Sequence, residues 1–240
     1  MSQRIDTLKR SGYKIIQEKE RFCFGIDAVL IANFAKANRG EEVFDLGTGT
    51  GIIPLLMSYD TKARHFTALE VQEQSAEMAR QSVEMNNLQE RISIVHGDVC
   101  NIKDLFDSRV CEVVVTNPPY MTGEQGKTSP NDARSIARTE VLCNLRDVVG
   151  AASYLLKPCG RFYMIHRPNR LSEIFSLCKE FKMEPKRMQL IYPYVNKAAT
   201  MVMIEARKDA RPDLIVEEPL IVYSEPGVYS EQVQRIYDGN

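Results

Sequence analysis

Three stretches of this 240-residue chain carry side chains whose types and spacing suit chemistry. The sharpest is Asn117-Pro118-Pro119-Tyr120. An amino group conjugated with a ring or a carbonyl is a poor nucleophile, because its lone pair is delocalised. The Asn117 side-chain oxygen and the Pro118 carbonyl, stiffened by consecutive prolines, can each accept one N–H of such a group. That pulls the nitrogen toward tetrahedral geometry and aims its lone pair at an electrophilic carbon. Tyr120 can stack on the ring that carries the amine. The second stretch, Asp45-Leu46-Gly47-Thr48-Gly49-Thr50-Gly51, sets three glycines on alternate positions. The backbone can therefore turn tightly and lie against a ligand, while the next helix offers unpaired N–H groups. A dinucleotide fingerprint would need glycine at 52 or 54, where Ile52 and Pro54 stand. The third feature is a pair of further acids. Glu70, 25 residues after Asp45, can accept hydrogen bonds from two ribose hydroxyls, and Asp98, followed by Val99, can accept from the exocyclic amine of an adenine.

Each of these groups follows a strand. Short apolar or alternating runs at 43–46, 65–70, 92–96, 111–116 and 161–166 read as strands. The β-branched run at 111–116 has the continuity of a central parallel strand covered on both faces. Between them, helices are expected from near Ile52, over 73–87, and over 138–156, where Val141, Leu145, Val148, Ala152 and Leu155 share one face. Lys157-Pro158-Cys159-Gly160 is expected to end that helix, and a further helix runs over 171–181. The pair 186–192 and 200–206 has no room for a crossover and must form an antiparallel hairpin. The expectation is an α/β chain with a seven-stranded, mostly parallel, doubly wound sheet closed by one antiparallel strand. In such sheets ligands lie beyond the carboxyl ends of the strands, where the strand order switches direction. Residues 1–40 form an N-terminal segment with a helix, 41–207 the main domain, and 208–240 an extension of it.

Composition narrows the function classes. With 31 Lys plus Arg against 32 Asp plus Glu the formal charge is −1, too balanced for a histone-like or tail-driven nucleic-acid binder. Hydrophobic residues at 44% and charged residues at 26% exclude a disordered or fibrous chain. The six cysteines include no C-x-x-C pair, so no metal is expected. The N-terminus lacks a signal-like apolar core and no run is long enough for a membrane helix, which points to a cytoplasmic protein with reduced thiols, taken as a monomer. The charge is uneven along the chain: +3 over 1–24, −6 over 25–150, +6 over 151–200 and −4 over 205–240. His65, His96 and His166 have no metal-site spacing and read as core or strand-edge residues.

The alternating glycines after Asp45 resemble the first motif of S-adenosylmethionine-dependent methyltransferases. The Asn117-Pro118-Pro119-Tyr120 tetrad resembles that of the amino-methyltransferases acting on adenine, guanine or glutamine amides. Phe24-Gly25-Ile26-Asp27-Ala28-Val29-Leu30-Ile31, Pro193-Tyr194-Val195-Asn196-Lys197-Ala198-Ala199, Pro219-Leu220-Ile221-Val222-Tyr223 and Tyr229-Ser230 are similar to segments of the bacterial tRNA1(Val) adenine-N6 methyltransferase family. The resemblance runs from about residue 13 to 237. It implies a Rossmann-like class I methyltransferase fold and transfer of a methyl from S-adenosylmethionine to N6 of the adenine beside the anticodon, position 37, leaving S-adenosylhomocysteine. The catalytic set is then Asn117, Pro118 and Tyr120. The cofactor set is Phe24, Asp27, Asp45, Gly47, Gly49, Gly51, Glu70, Asp98, Val99 and Asn117. The 24–31 segment would cover the cofactor, with Asp27 also capping the following helix. Other substrates of tetrad enzymes, an rRNA or DNA base or a protein glutamine, stay open, as does an RNA-binding module without turnover. A tRNA partner needs cations for its phosphates. Arg4, Lys9, Arg10, Lys14, Arg161, Arg167, Arg170, Lys182, Lys186, Arg187 and Lys197 are expected around the mouth of the Asn117 pocket, and the 121–138 loop is a candidate substrate lid.

Overall fold

The computed structural model describes residues 3–18, 24–120 and 144–239. The expected lid at 121–138 lies outside the described residues.

The chain opens with an antiparallel hairpin, β1 (Gln3–Thr7) and β2 (Lys14–Glu18), followed by α1 (Ile26–Phe34). Strands and helices then alternate: β3 (Glu42–Leu46), α2 (Ile52–Asp60), β4 (His65–Glu70), α3 (Glu73–Met85), β5 (Ile92–His96), the short α4 (Ile102–Leu105) and β6 (Cys111–Thr116). Next come α5 (Leu145–Leu155), β7 (Leu156–His166), α6 (Leu171–Glu180), β8 (Met183–Tyr192) and β9 (Met201–Lys208). The tail holds β10 (Ile215–Val216), β11 (Leu220–Ile221), the small hairpin β12 (Tyr223–Glu225) with β13 (Val228–Tyr229), and α7 (Glu231–Asp238).

The main sheet runs β8-β9-β7-β6-β3-β4-β5, and only β9 is antiparallel to its neighbours. From β3 the chain builds outward through β4 to β5, then returns to add β6 on the opposite side of β3. The crevice between the carboxyl ends of β3 and β6 is therefore the switch point. Val113, Val114 and Val115 in β6 are fully buried, because both faces of the sheet are covered. One face packs Leu30, Ile31, Leu55 and Met57 of α1 and α2, and the other packs Val149, Ala152, Ile174 and Cys178 of α5 and α6. Helix α5 is started by a capping box in which the Asn144 side chain accepts from the Asp147 N–H.

The structure departs from the sequence expectation at several edges. Among the described residues the sheet has nine strands, because β10 and β11 add in parallel to the outer edge of β8. The N-terminal hairpin is seated on α3, where the Ser82 hydroxyl and the Asn86 side-chain oxygen accept from the Ile16 and Lys14 N–H groups. Strand β7 begins at Leu156, ahead of the expected 161. The 157–160 turn forms an irregularity within the strand, with Cys159 at φ +62° and a register shift opposite Cys111 and Val113.

Candidate functional site

The glycine-rich loop leaves β3 with Gly47, Gly49 and Gly51 all at positive φ (+75°, +58° and +85°). At Gly47 and Gly49 an added Cβ would meet nothing within 4 Å, so the loop backbone borders open space. Gly51 is the N-cap of α2, and a Cβ there would press against Ala79 at 3.2 Å. Glu70 holds the loop from the end of β4: one carboxylate oxygen accepts the Gly49 N–H at 2.8 Å and the other the Gln72 N–H at 2.9 Å. Each oxygen keeps a lone pair for a further donor. Burial pushes this carboxyl up, against the pull of its backbone donors.

Asp45 lies beneath the loop and is 1% exposed. Neither of its carboxylate oxygens, nor the nearby Thr48 hydroxyl, has a hydrogen-bond partner among the described residues. Burial pushes Asp45 up to about 7, against the pull of the nearby Thr48 hydroxyl and with the Glu70 charge adding to it. Three unpaired polar atoms below an open glycine turn are costly in a finished core and suit a donor arriving from outside. The residues thus fit the cofactor whose motif they resemble.

Across the switch point, Thr116 ends β6 and donates its hydroxyl to the Leu46 carbonyl at 2.8 Å, tying the two halves of the site together. Asn117 follows, half-buried, then a buried Pro118, an exposed Pro119 and a half-buried Tyr120. The Tyr120 hydroxyl contacts the Asn117 side-chain oxygen and lies 2.7 Å from the Asp27 carboxylate. A hydroxyl has one proton to give and the carboxylate is the stronger acceptor, so the Asn117 oxygen is the more weakly held of the two. Burial and the Asp27 charge push the Tyr120 phenol up, so it stays protonated.

His166, which the sequence reading did not assign to the site, and Arg167, which it expected at the pocket mouth, close around Tyr120. His166 sits edge-on to its ring at 5.4 Å, and the Arg167 guanidinium lies 5.0 Å from its centre. His166 is 1% exposed with no partner for Nδ1 among the described residues, and burial followed by the Arg170 charge lowers it to about 4. Both end or follow β7, the strand beside β6, and that placement was the available signal.

The remaining expected residues are placed as follows. Asp27 does not cap α1: the N-cap is Gly25, one residue ahead of the helix start at Ile26, and Asp27 in the first turn takes the Ala28 N–H at 3.0 Å. Phe24 is half-buried against the core cluster beneath α1, its N–H donated to Gln17. Asp98 and Val99 follow β5 half-buried, and one Asp98 oxygen accepts the Cys100 N–H at 2.9 Å.

The expected ring of cations does not form. Arg4, Lys9, Arg10, Arg161, Arg170 and Lys186 face Asp6, Asp238, Asp60, Glu41, Glu173 and Asp213, and Arg187 sits between Glu205 and Glu217. Lys182, Lys186 and Arg187 flank or begin β8, and Arg161 lies in the first half of β7, toward the end of the sheet away from the site. A charge count by segment cannot separate the two ends of a strand. Arg167, Arg170 and Lys197 lie on the carboxyl edge, Arg170 paired with Glu173. Among the described residues no helix is long and apolar enough to cross a membrane, and no group of His, Cys, Asp or Glu is arranged to hold a metal.

Comparison with known proteins places the chain among methyltransferases. A tRNA1(Val) (adenine(37)-N6)-methyltransferase of Flavobacteriaceae bacterium (strain 3519-10) is 24% identical over 220 residues, 92% of this chain and 91% of that one. A protein of the same name from Phocaeicola vulgatus is 34% identical over 143 residues, 59% and 58% of the two chains. A solved structure, described as a predicted O-methyltransferase from Agrobacterium tumefaciens, superposes with a TM-score of 0.72 at 23% identity, covering 89% of this chain and 96% of that one. The methyltransferase small domain family matches residues 24–182, from Phe24 before α1 to the start of β8, and the chain belongs to that family.

Proposed function

We propose that this protein transfers the methyl group of S-adenosylmethionine to the exocyclic N6 of adenine 37 in tRNA1(Val). The observation that carries the reading is the place of Asn117-Pro118-Pro119-Tyr120 at the carboxyl end of β6, joined through Thr116 to the glycine loop of β3. The names of the relatives support the tRNA substrate.

S-adenosylmethionine, when bound, supplies an electrophilic sulfonium methyl and departs as S-adenosylhomocysteine. Asp45 and the loop at Gly47, Gly49 and Gly51 would hold its charged amino-acid end, Glu70 its ribose, and Asp98 with Val99 its adenine, while Phe24 just before α1 and Asp27 in its first turn would cover it. The target amine takes the Asn117 oxygen from the Tyr120 hydroxyl and gives its second N–H to the Pro118 carbonyl. Held in this way, its lone pair is localised on nitrogen and directed along the transfer line. Tyr120, still bonded to Asp27, packs on the adenine. No strong base is required, because the alkylated nitrogen sheds its extra proton readily once the new N–C bond has formed.

The test is incubation of the protein and labelled S-adenosylmethionine with unmodified tRNA transcripts, followed by digestion and nucleoside analysis. N6-methyladenosine confined to position 37 of tRNA1(Val) is expected. Methylated guanosine, or label only in protein, would replace this reading.

A further inference from the structure

Tyrosines 194, 223, 229 and 237 form one continuous row. Ring centres are 5.6 Å apart between Tyr194 and Tyr223, 5.4 Å between Tyr223 and Tyr229, and 5.3 Å between Tyr229 and Tyr237, with the last two pairs stacked at 12° and 15°. Three separate segments contribute: the connection after β8, the β12–β13 hairpin and α7. All four residues are half-buried.

The row starts on the edge of the sheet that carries the site. Strand β9 is antiparallel to both β7 and β8, and β7 is parallel to β6, so β8 points the same way as β3 and β6. Tyr194 lies just beyond the carboxyl end of β8. Tyr223 is fixed beside it, its N–H donated to the Pro193 carbonyl at 3.0 Å while Val222 donates to Tyr192 at 2.8 Å. At the other end, Tyr237 lines a cavity of about 160 Å³ together with Phe24 and Val29. Burial, the neighbouring tyrosines and the charge of Asp27 all push its phenol up. Asp27 in turn holds Tyr120. The row therefore runs from the outer rim of the sheet, beyond β8, inward to α7 and the core.

Tyr223, Tyr229 and Tyr237 pack against the core, and Tyr223 and Tyr229 each have a ring on either side. Tyr194 ends the row with Tyr223 as its one ring neighbour among the described residues, so it offers a π face on which a base can stack with little regard to sequence. The loop bearing Tyr194 also carries the exposed Lys197, and Val195 there is 82% exposed.

We propose that Tyr194, held at the outer end of the tyrosine row, is a stacking platform for a single-stranded base that flanks the target adenine, with Lys197 as a phosphate contact. This rests on an RNA loop being the substrate. The test measures binding of an anticodon stem-loop RNA by fluorescence anisotropy for the wild type, Tyr194→Leu and Tyr194→Phe. Donor affinity and thermal midpoint are recorded for each protein. RNA carrying 4-thiouridine beside the target adenine is photocrosslinked in parallel and mapped by mass spectrometry. Tyr194→Leu should weaken RNA binding roughly 5- to 100-fold, the range for losing one base–aromatic stack, and raise KM without lowering kcat. Donor affinity and thermal midpoint should hold, Tyr194→Phe should restore binding, and crosslinks should fall on Tyr194 or Tyr223. RNA binding by Tyr194→Leu within twofold of a wild type that methylates tRNA would overturn the platform while leaving the proposed function intact. A loss that follows the thermal midpoint and is not restored by phenylalanine would make the row a structural tether. A wild type that neither binds nor methylates RNA would overturn both.

Discussion

Asp45 is the residue at which stability and ligand binding are most directly opposed. Its carboxyl is pushed from an ordinary 3.8 up to about 7, mainly by burial. An unfolded chain gives up this proton near pH 4 and the folded chain near pH 7. Between those values the folded state holds more protons, so the stability of the ligand-free protein falls as pH rises through that window. A shift of about 3 units corresponds to about 4 kcal/mol, present in full above pH 7 and absent below pH 4. Asp45→Asn removes the buried charge but leaves a buried amide with unpaired hydrogens, which costs about 1–3 kcal/mol. The variant should therefore be more stable than the wild type by about 1–3 kcal/mol at pH 8, a rise of a few degrees for a chain of this size. At pH 5 it should show no gain. The same substitution should weaken S-adenosylmethionine binding by about tenfold or more, the scale of a lost hydrogen bond to a charged group. Scanning calorimetry at the two pH values, with titration calorimetry of the donor, gives both readings. Equal destabilisation at pH 5 and pH 8, or unchanged donor affinity, would refute the view that this carboxylate is kept unpaired for a ligand.

Other positions give separate tests. Gly51→Ala places a side chain at φ +85° and 3.2 Å from Ala79, and chemical denaturation should show a loss of more than about 1 kcal/mol. Thr116→Val removes the hydroxyl that reaches the Leu46 carbonyl; about 1–3 kcal/mol of stability should go with it, and kcat should fall more than donor affinity. His166 should remain neutral through the working pH range, so an NMR titration of its ring should show a midpoint well below 6.5, in line with the value near 4. A midpoint at 6 or above would mean that its surroundings are more polar than described.

The repeating core was legible in the sequence because burial writes itself into it. Cys111–Thr116 and His65–Glu70 are unbroken by turn residues, and both strands end where their chemistry begins. The Asn117 tetrad and the glycine loop could each be placed at a strand end from the sequence, while the adjacency of those two strands is set by the fold. The edges were not legible. Gln3–Thr7 is almost wholly exposed and Ile215–Val216 and Leu220–Ile221 are two residues each, so these strands owe their form to distant partners. Asp27 illustrates the same limit within the site: an acid near a helix start suggested a cap, whereas the chain turns helical one residue earlier and frees the carboxylate for Tyr120. Arg187 was counted toward RNA, but its guanidinium stacks on Phe34 at 4.0 Å and is held by Glu205 and Glu217. Charge counts along a sequence miss such pairings because the partners lie far apart in the chain.

The central claim is that Asn117 acts mainly by orienting an amino group for methyl transfer, any contact with the donor adding little to donor affinity. Single-turnover methylation of tRNA1(Val) by Asn117→Ala, measured beside its Kd for S-adenosylmethionine, tests it most directly. The account predicts a rate lowered by about 10²–10³-fold, the scale for removing one preorganised hydrogen-bonding partner, with Kd within about twofold of the wild type. A rate equal to that of the wild type would contradict it.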